Sequence, residues 1–137
     1  MSDSSVTLVF PARAEYVLLA RLALTGLTRL VPADEEAVAD LRLAVTEAAA
    51  NVCRHAYPDG DGPVKIEYRL TSDDRIEVTV EDEGPGFDED AVTNWDPDGL
   101  ADQGMGLAII LAVAEDVELT SRAEGAGSRV RFTRSLR

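Results

Sequence analysis

A chain of 137 residues with 13 basic and 26 acidic side chains carries a formal net charge of −13. This balance argues against nucleic acid and against an anionic membrane surface as direct partners, since both attract basic patches. A phosphate ligand would therefore need a metal cation with it. The length fits one domain over residues 1–137. One cysteine, Cys53, and the lack of an apolar run long enough to span a bilayer favour a cytoplasmic protein.

Residues 6–10 are predicted to form a short strand, and residues 13–31 a helix that Pro32 ends. The expected core stripe of this helix consists of Leu19, Ala20, Ala23, Leu27 and Leu30. Leu18 and Leu22 fall outside that stripe, among polar side chains. Two such leucines are either ordinary exposed surface or part of a contact with a partner.

A second helix is predicted from Asp34, its N-cap, to about residue 57. Strands at 64–70 and 75–81 alternate apolar and charged side chains around a turn at 72–74. After a Gly- and Asp-rich stretch at 83–103, a helix should run from about Gly104 to Glu115, followed by strands near 117–122 and 128–133. Because each strand has one charged face, we expect an α/β two-layer sandwich with a mixed, mostly antiparallel sheet and helices on one face.

Asp82 ends a predicted strand with the same parity as the strand's buried valines and isoleucine. A buried carboxylate needs hydrogen-bond donors, and the glycines that follow, Gly84 and Gly86, let the backbone turn and approach a ligand. Ser128 also has the parity of an inward-facing residue. The pair is suited to reading the amino group of adenine, directly or through a water. The alternative is a turn aspartate satisfied by its own backbone.

Glu47, Asn51 and Arg54 are spaced by four and three residues, so they share one stripe of the second helix. The Asn51 carbonyl is a suitable oxygen ligand for magnesium, and Glu47 is a candidate general base. The alternative is an ordinary solvated helix face. His55, the one histidine, is a phosphoacceptor, a metal ligand or a packed helix-end residue.

Gly104 and Gly106 flank Met105 and precede Leu107 at the start of an apolar helix. Free backbone N–H groups at a helix N-terminus favour an anion, and glycines let phosphate oxygens approach. Close helix–sheet packing explains the same residues without a ligand. The G-x-x-x-x-G-K-[ST] sequence of a P-loop does not occur in the chain.

Taken in chain order, these motifs resemble the GHKL ATPase superfamily of gyrase, the heat-shock chaperone, histidine kinases and MutL. The similarity extends from the second helix to the last strand. The sequences LRLAVTEAAANVCRHAY and GMGLAIILAVAEDVEL are most similar to bacterial anti-sigma-factor serine kinases.

The resemblance implies a Bergerat-type fold that binds ATP with magnesium. Asn51 would hold the metal, Asp82 would read adenine, and Glu47 would activate a protein serine hydroxyl. The nucleotide and its lid would be framed by Gly84, Gly86, Gly104, Met105, Gly106 and Leu107, with Arg54 and Ser128 nearby. The acceptor would be an anti-anti-sigma protein, whose unphosphorylated form competes with a sigma factor for the kinase. The kinase would act as a homodimer.

One departure concerns the lid, where some family members carry an arginine before the glycine pair. Here no Lys or Arg occurs between Asp82 and Ser121. The negative charge of the phosphates would then be neutralised by magnesium, backbone N–H groups and Arg54. This favours an alternative, a nucleotide-gated partner-binding module with little or no kinase activity. A histidine-kinase catalytic domain is disfavoured because it would need a helical dimerisation segment with its own histidine, which this sequence does not contain. A topoisomerase or mismatch-repair fragment is disfavoured by the short lid and the acidic charge.

Overall fold

The computed structural model describes residues 4–57, 62–84, 106–121 and 127–137. Within these ranges the strands are β1 (Ser4–Pro11), β2 (Pro63–Leu70), β3 (Arg75–Asp82), β4 (Glu115–Ser121) and β5 (Ser128–Ser135). The α-helices are α1 (Val17–Thr28), α2 (Glu35–His55) and α3 (Gly106–Val113), and a short 3-10 turn, Ala14–Tyr16, precedes α1. No helix in these ranges is both long and apolar enough to cross a membrane.

The five strands form one sheet in the order β1-β2-β3-β5-β4. All pairs among these strands are antiparallel, so the expected mixed sheet is antiparallel throughout the part that the structure describes. In the β3–β5 pair, Glu81 lies opposite Arg129. This register brings the last residue of β3, Asp82, beside the first residue of β5, Ser128.

The core lies between the helices and one face of the sheet, as the alternating sequence predicts. Its largest fully buried side chains include Tyr68 and Phe132 from the strands and Leu41 from α2. The opposite sheet face carries ion pairs, in which Arg131 contacts Glu77 at 2.9 Å and Glu118 at 2.8 Å. The two-layer α/β architecture is therefore confirmed.

Helix α1 buries Ala20 and Leu27 as predicted, but two other residues of the predicted core stripe are exposed. Its buried residues are Ala20, Leu24, Leu27 and Thr28. Leu19 and Leu30, both expected in the core, are 50% and 77% exposed. The prediction was wrong for these two because α1 is apolar on more than one side and ends at Thr28. The Tyr68 hydroxyl fixes the orientation by donating to the Ala20 carbonyl at 2.7 Å. Leu18 and Leu22 are more than half exposed, as expected.

Helix α2 begins where the sequence predicts, with Asp34 in extended backbone conformation at the N-cap. The Asp34 side chain makes no capping hydrogen bond, but its carbonyl accepts from the Val38 N–H at 3.1 Å. The end of α3 was predicted wrongly, since the helix stops at Val113 and β4 already begins at Glu115. An irregularity follows in β4, where Asp116 has a φ of 48°. Aspartate tolerates this left-handed conformation better than most residues.

Candidate functional site

The ends of β3 and β5 place the predicted aspartate and serine together. Asp82 is 6% exposed, so its side chain points into the helix-covered face. Its Oδ2 accepts a hydrogen bond from the Ser128 hydroxyl at 2.5 Å, and its Oδ1 accepts from the Gly84 N–H at 2.9 Å. These donors compensate for the burial of the carboxylate. Each oxygen keeps acceptor capacity for a further donor, because an ionised carboxylate has about four lone-pair sites.

Two glycines allow the chain segments around Asp82 to approach each other. Gly127 has a φ of 104°, and a Cβ added there would lie 1.8 Å from the Asp82 carbonyl oxygen. A Cβ on Gly84 would lie 2.2 Å from the carbonyl oxygen of Ala56, which caps the C-terminal end of α2. Both positions therefore require glycine. The end of α2 and the ends of β3 and β5 meet at one place.

Tyr57, which follows α2, ties the same segments together and was missed by the sequence analysis. Its hydroxyl accepts from the Glu83 N–H at 2.7 Å and donates to the Pro63 carbonyl at 2.6 Å. A tyrosine hydroxyl is protonated at neutral pH and can donate, and burial raises the pKa of the Tyr57 phenol further. The tyrosine that follows His55-Ala56 and precedes a proline was a possible signal, but tyrosines at helix ends have many roles.

The polar stripe of α2 contains a direct contact between two of its predicted members. The Arg54 guanidinium donates from Nη2 to the Asn51 Oδ1 at 2.8 Å. Asn51 and Glu47 are both partly buried, whereas Arg54 is exposed. The oxygen considered for a magnesium ion is therefore engaged by a cation in this structure. An amide oxygen in such a place suits magnesium, which takes few protein ligands and keeps several waters.

The glycine-rich helix start is only partly described. Gly106 and Leu107 begin α3, which packs against α2. Gly86, Gly104 and Met105 lie outside the described residues, as does the stretch that would form the lid. His55 is the last residue of α2. In the ranges that the structure does describe, no group of three or more His, Cys, Asp or Glu side chains is arranged to hold a metal ion.

Comparisons with known proteins identify the family of the chain. The chain matches the family described as the histidine kinase-like ATPase domain over residues 10–134. The serine-protein kinase RsbW of Listeria monocytogenes serotype 4a (strain HCC23) is 36% identical over 123 residues, covering 83% of this chain and 78% of that protein. The serine-protein kinase RsbW of Bacillus pumilus (strain SAFR-032) is 34% identical over 142 aligned positions, covering 96% of this chain and 85% of that protein.

Solved structures show the same fold at lower identity. The crystal structure of the RsbU and RsbW domains of Rv1364c from Mycobacterium tuberculosis matches with a TM-score of 0.72 and 18% identity, over 97% of this chain and 32% of that chain. The histidine kinase domain from the Erythrobacter litoralis EL346 blue-light activated histidine kinase matches with a TM-score of 0.60 and 23% identity, over 93% of this chain and 62% of that chain. These matches support the two-layer fold.

Proposed function

The chain belongs to the histidine kinase-like ATPase domain family and, within it, to the RsbW group of anti-sigma-factor serine kinases, and we propose that it phosphorylates a serine of an anti-anti-sigma protein. The observation that carries this proposal is the buried Asp82 carboxylate, which accepts hydrogen bonds from Ser128 and Gly84. It lies near the C-terminal end of α2, the helix that also contains Asn51 and Glu47. The proposed unit is one domain, residues 1–137, in the cytoplasm.

In the proposed complex Asp82 accepts a hydrogen bond from the adenine amino group. The Ser128 hydroxyl and the Gly84 N–H already orient its two oxygens, so adenine recognition needs no rearrangement of the Asp82 side chain. A hydrogen bond to an ionised group contributes more than one between neutral groups. Gly84, Gly86, Gly104, Met105, Gly106 and Leu107 would surround the rest of the nucleotide, with the N-terminus of α3 facing its phosphates.

The order of the residues along α2 matches the order of the parts of ATP. Ala56 contacts Gly84, beside the adenine position. Asn51 is five residues earlier, roughly 7.5 Å along the helix axis, and Glu47 is roughly 6 Å further. In the proposed complex Asn51 would therefore lie near the phosphates and Glu47 beyond them, where a protein hydroxyl would approach. Glu47 then accepts the proton of that serine as general base.

Magnesium, held by Asn51 and phosphate oxygens, would neutralise phosphate charge. To hold the metal, Asn51 would have to give up the hydrogen bond that its Oδ1 accepts from Arg54. The released Arg54 guanidinium would then lie one helical turn from the metal position, within reach of a phosphate. We propose that Arg54 supplies the positive charge that the missing lid arginine provides in other family members.

The proposed partners are those implied by the family: an anti-anti-sigma protein as phosphoacceptor, a sigma factor bound when the acceptor is absent, and a second copy of the chain. The charge of −13 disfavours direct contact with nucleic acid or with an anionic membrane.

A second candidate function is a nucleotide-gated partner-binding module with little kinase activity. The absence of Lys and Arg between Asp82 and Ser121 favours it, because phosphoryl transfer depends on positive charge around the transferred group. The two functions differ in whether a phosphoserine forms.

Incubation with Mg-ATP and a cognate anti-anti-sigma protein, followed by mass spectrometry, distinguishes these functions. The kinase proposal predicts one phosphoserine on the acceptor, and it predicts that Asn51→Ala abolishes both the phosphoserine and magnesium-dependent ATP binding. ATP-dependent complex formation without phosphoserine, at enzyme concentrations equal to those of the acceptor, would establish the binding module instead.

A further inference from the structure

A groove with a volume of about 660 Å³ lies between the end of α1 and the start of α2. It is lined by α1 from Thr25 on, by the segment that connects the two helices, and by α2 as far as Arg42. Arg42 precedes Asn51 by nine residues, or about 2.5 turns, so the two side chains leave α2 on opposite sides. The groove is therefore separate from the candidate nucleotide site.

Two arginines line this groove, and neither has an acidic partner. Each arginine within the five described strands forms an ion pair with a carboxylate, as Arg134 does with Asp40 at 3.0 Å. Arg29 and Arg42 form no ion pair with any residue that the structure describes, although the chain has 26 acidic and only 13 basic side chains. Two positive charges in the groove are thus left for a ligand.

The Arg42 guanidinium also has a buried donor without an acceptor. Its Nε is buried, and no hydrogen-bond partner for it exists in the described part of the chain. A buried N–H group without an acceptor costs free energy, and such groups are rare in folded proteins. Since Arg42 lines the groove, a ligand bound there is placed to supply the acceptor.

The same groove offers an apolar surface beside the arginines. Val31 and Val38 are partly buried, and Pro32 is exposed. A small hydrated anion would leave these side chains in water, whereas an aliphatic side chain would cover them. One carboxylate, Glu35, also lines the groove, about 10.5 Å along α2 from Arg42. It disfavours an acidic group at that end and can accept a backbone N–H of a peptide instead.

We propose that this groove binds an acidic peptide segment of a partner protein. Carboxylates of the segment would contact Arg29 and Arg42, and an aliphatic side chain between them would cover Val31 and Val38. Charge complementarity selects this occupant, because a chain with a net charge of −13 repels an acidic segment over most of its surface and attracts it where arginines lack acidic partners. The volume of the groove is within the range of ligand-binding pockets. The proposal goes beyond the proposed function and does not depend on kinase activity.

Fluorescence polarisation with a labelled peptide of sequence DELDEL tests the proposal on the full chain. The amide peptide NQLNQL has the same shape without carboxylates, so we expect its dissociation constant to be at least about tenfold higher. Arg29→Gln and Arg42→Gln should each weaken DELDEL binding by a similar factor, whereas Arg129→Gln, on the sheet face opposite the helices, should not. Equal binding of the two peptides, or no binding of DELDEL at on the order of 1 mM, would overturn the proposal.

Nuclear magnetic resonance spectroscopy shows where the peptide binds. The Nε–H signal of Arg42 and the backbone amide signals of the groove should shift on addition of DELDEL, with or without Mg-ATP. The amide signals of Asn51 and Asp82 should stay unchanged, and shifts centred on them would place the peptide in the nucleotide site and contradict the proposal. Inorganic phosphate at the same ionic strength is the second probe. If phosphate displaces DELDEL and reproduces its shifts, the groove is a site for small anions and the peptide proposal is wrong.

Arg42→Met separates a binding role of Arg42 from a structural one. Methionine keeps an unbranched apolar side chain but removes the guanidinium, which contributes no hydrogen bond or ion pair to the described part of the fold. We expect an unchanged or higher melting temperature together with loss of DELDEL binding. The matched control Arg134→Met loses the ion pair with Asp40 and should lower the melting temperature. A decrease in Arg42→Met as large as in Arg134→Met would show that Arg42 supports the fold, and would contradict the proposal.

Discussion

Substitution of Asp82 by asparagine tests whether this carboxylate recognises the nucleotide or only stabilises the turn after β3. Asparagine keeps the shape of the side chain and one acceptor oxygen for the Gly84 N–H. Its amide nitrogen would face Ser128, whose hydroxyl can turn and accept instead of donating. Both contacts within the protein therefore persist as neutral hydrogen bonds. We expect the free energy of unfolding to change by no more than about 1 kcal/mol.

The effect on ATP should be much larger than the effect on stability. An adenine amino group approaching the former carboxylate loses a hydrogen bond to a charged acceptor, which contributes about 1.5–3 kcal/mol. This corresponds to a dissociation constant for ATP that is roughly tenfold to hundredfold higher. Isothermal titration calorimetry with Mg-ATP measures it, and thermal unfolding of the same sample checks the fold.

Glu81→Gln is the matched control. It removes one negative charge at the neighbouring residue of β3, whose side chain lies on the opposite face of the sheet beside Arg129. A general electrostatic effect of the net charge would strengthen ATP binding similarly in both variants. An Asp82→Asn protein that unfolds like the wild type and binds Mg-ATP with unchanged affinity would refute the adenine-reading role.

Three further predictions follow from the backbone and from two pKa values. Gly127→Ala should destabilise the fold by at least about 2 kcal/mol, because φ is 104° and the added Cβ meets a carbonyl oxygen at 1.8 Å; Gly26→Ala, with open space around its Cβ, should be neutral or stabilising by up to about 1 kcal/mol. Equal thermal unfolding of the two variants would contradict the close approach at Gly127. Tyr68→Phe should cost about 0.5–1.5 kcal/mol, since the Ala20 carbonyl of α1 loses its hydrogen bond from Tyr68 but keeps the one within the helix. Burial raises the pKa of Tyr68 above its unfolded value of about 10, so its stabilising contribution is complete below that pH and is lost as the pH rises further; urea titrations at neutral and alkaline pH should show a loss that is smaller in Tyr68→Phe. Burial also raises the pKa of the Cys53 thiol, so thiol-specific alkylation at pH 8 should be slower in the folded chain than in the urea-unfolded chain, and equal rates would show an accessible, unshifted thiol.

The sequence was sufficient to predict the meeting of Asp82 and Ser128, because strand parity determines which face of a sheet a side chain occupies. It was also sufficient for the two-layer architecture, since each central strand alternates cleanly between apolar and charged residues. Local spacing determines which face each side chain occupies, whereas the contact between Asp82 and Ser128 also depends on the long-range pairing of β3 with β5. The functional roles assigned to the site residues remain predictions.

Other features depend on tertiary approach and could not be obtained from spacing. Gly127 is required because the carbonyl of a residue 45 positions earlier lies against it, and Tyr57 matters because two separate segments converge on its hydroxyl. Helix α1 has apolar residues on several sides, so periodicity could not select Leu24 over Leu19 as the buried leucine. The hydrogen bond from Tyr68 makes that selection, and it joins residues 48 positions apart.

The most direct test of the kinase function is a comparison of the wild type with Glu47→Gln in two assays on the same protein samples. The variant retains the shape and hydrogen-bonding capacity of the side chain but cannot accept the serine proton. We predict an unchanged Mg-ATP dissociation constant by calorimetry, together with a loss of at least about a hundredfold in the rate of phosphoserine formation on the anti-anti-sigma protein. Phosphoserine formation by Glu47→Gln at the wild-type rate would contradict the assignment of Glu47 as the base, and no phosphoserine from the wild type would contradict the kinase function itself.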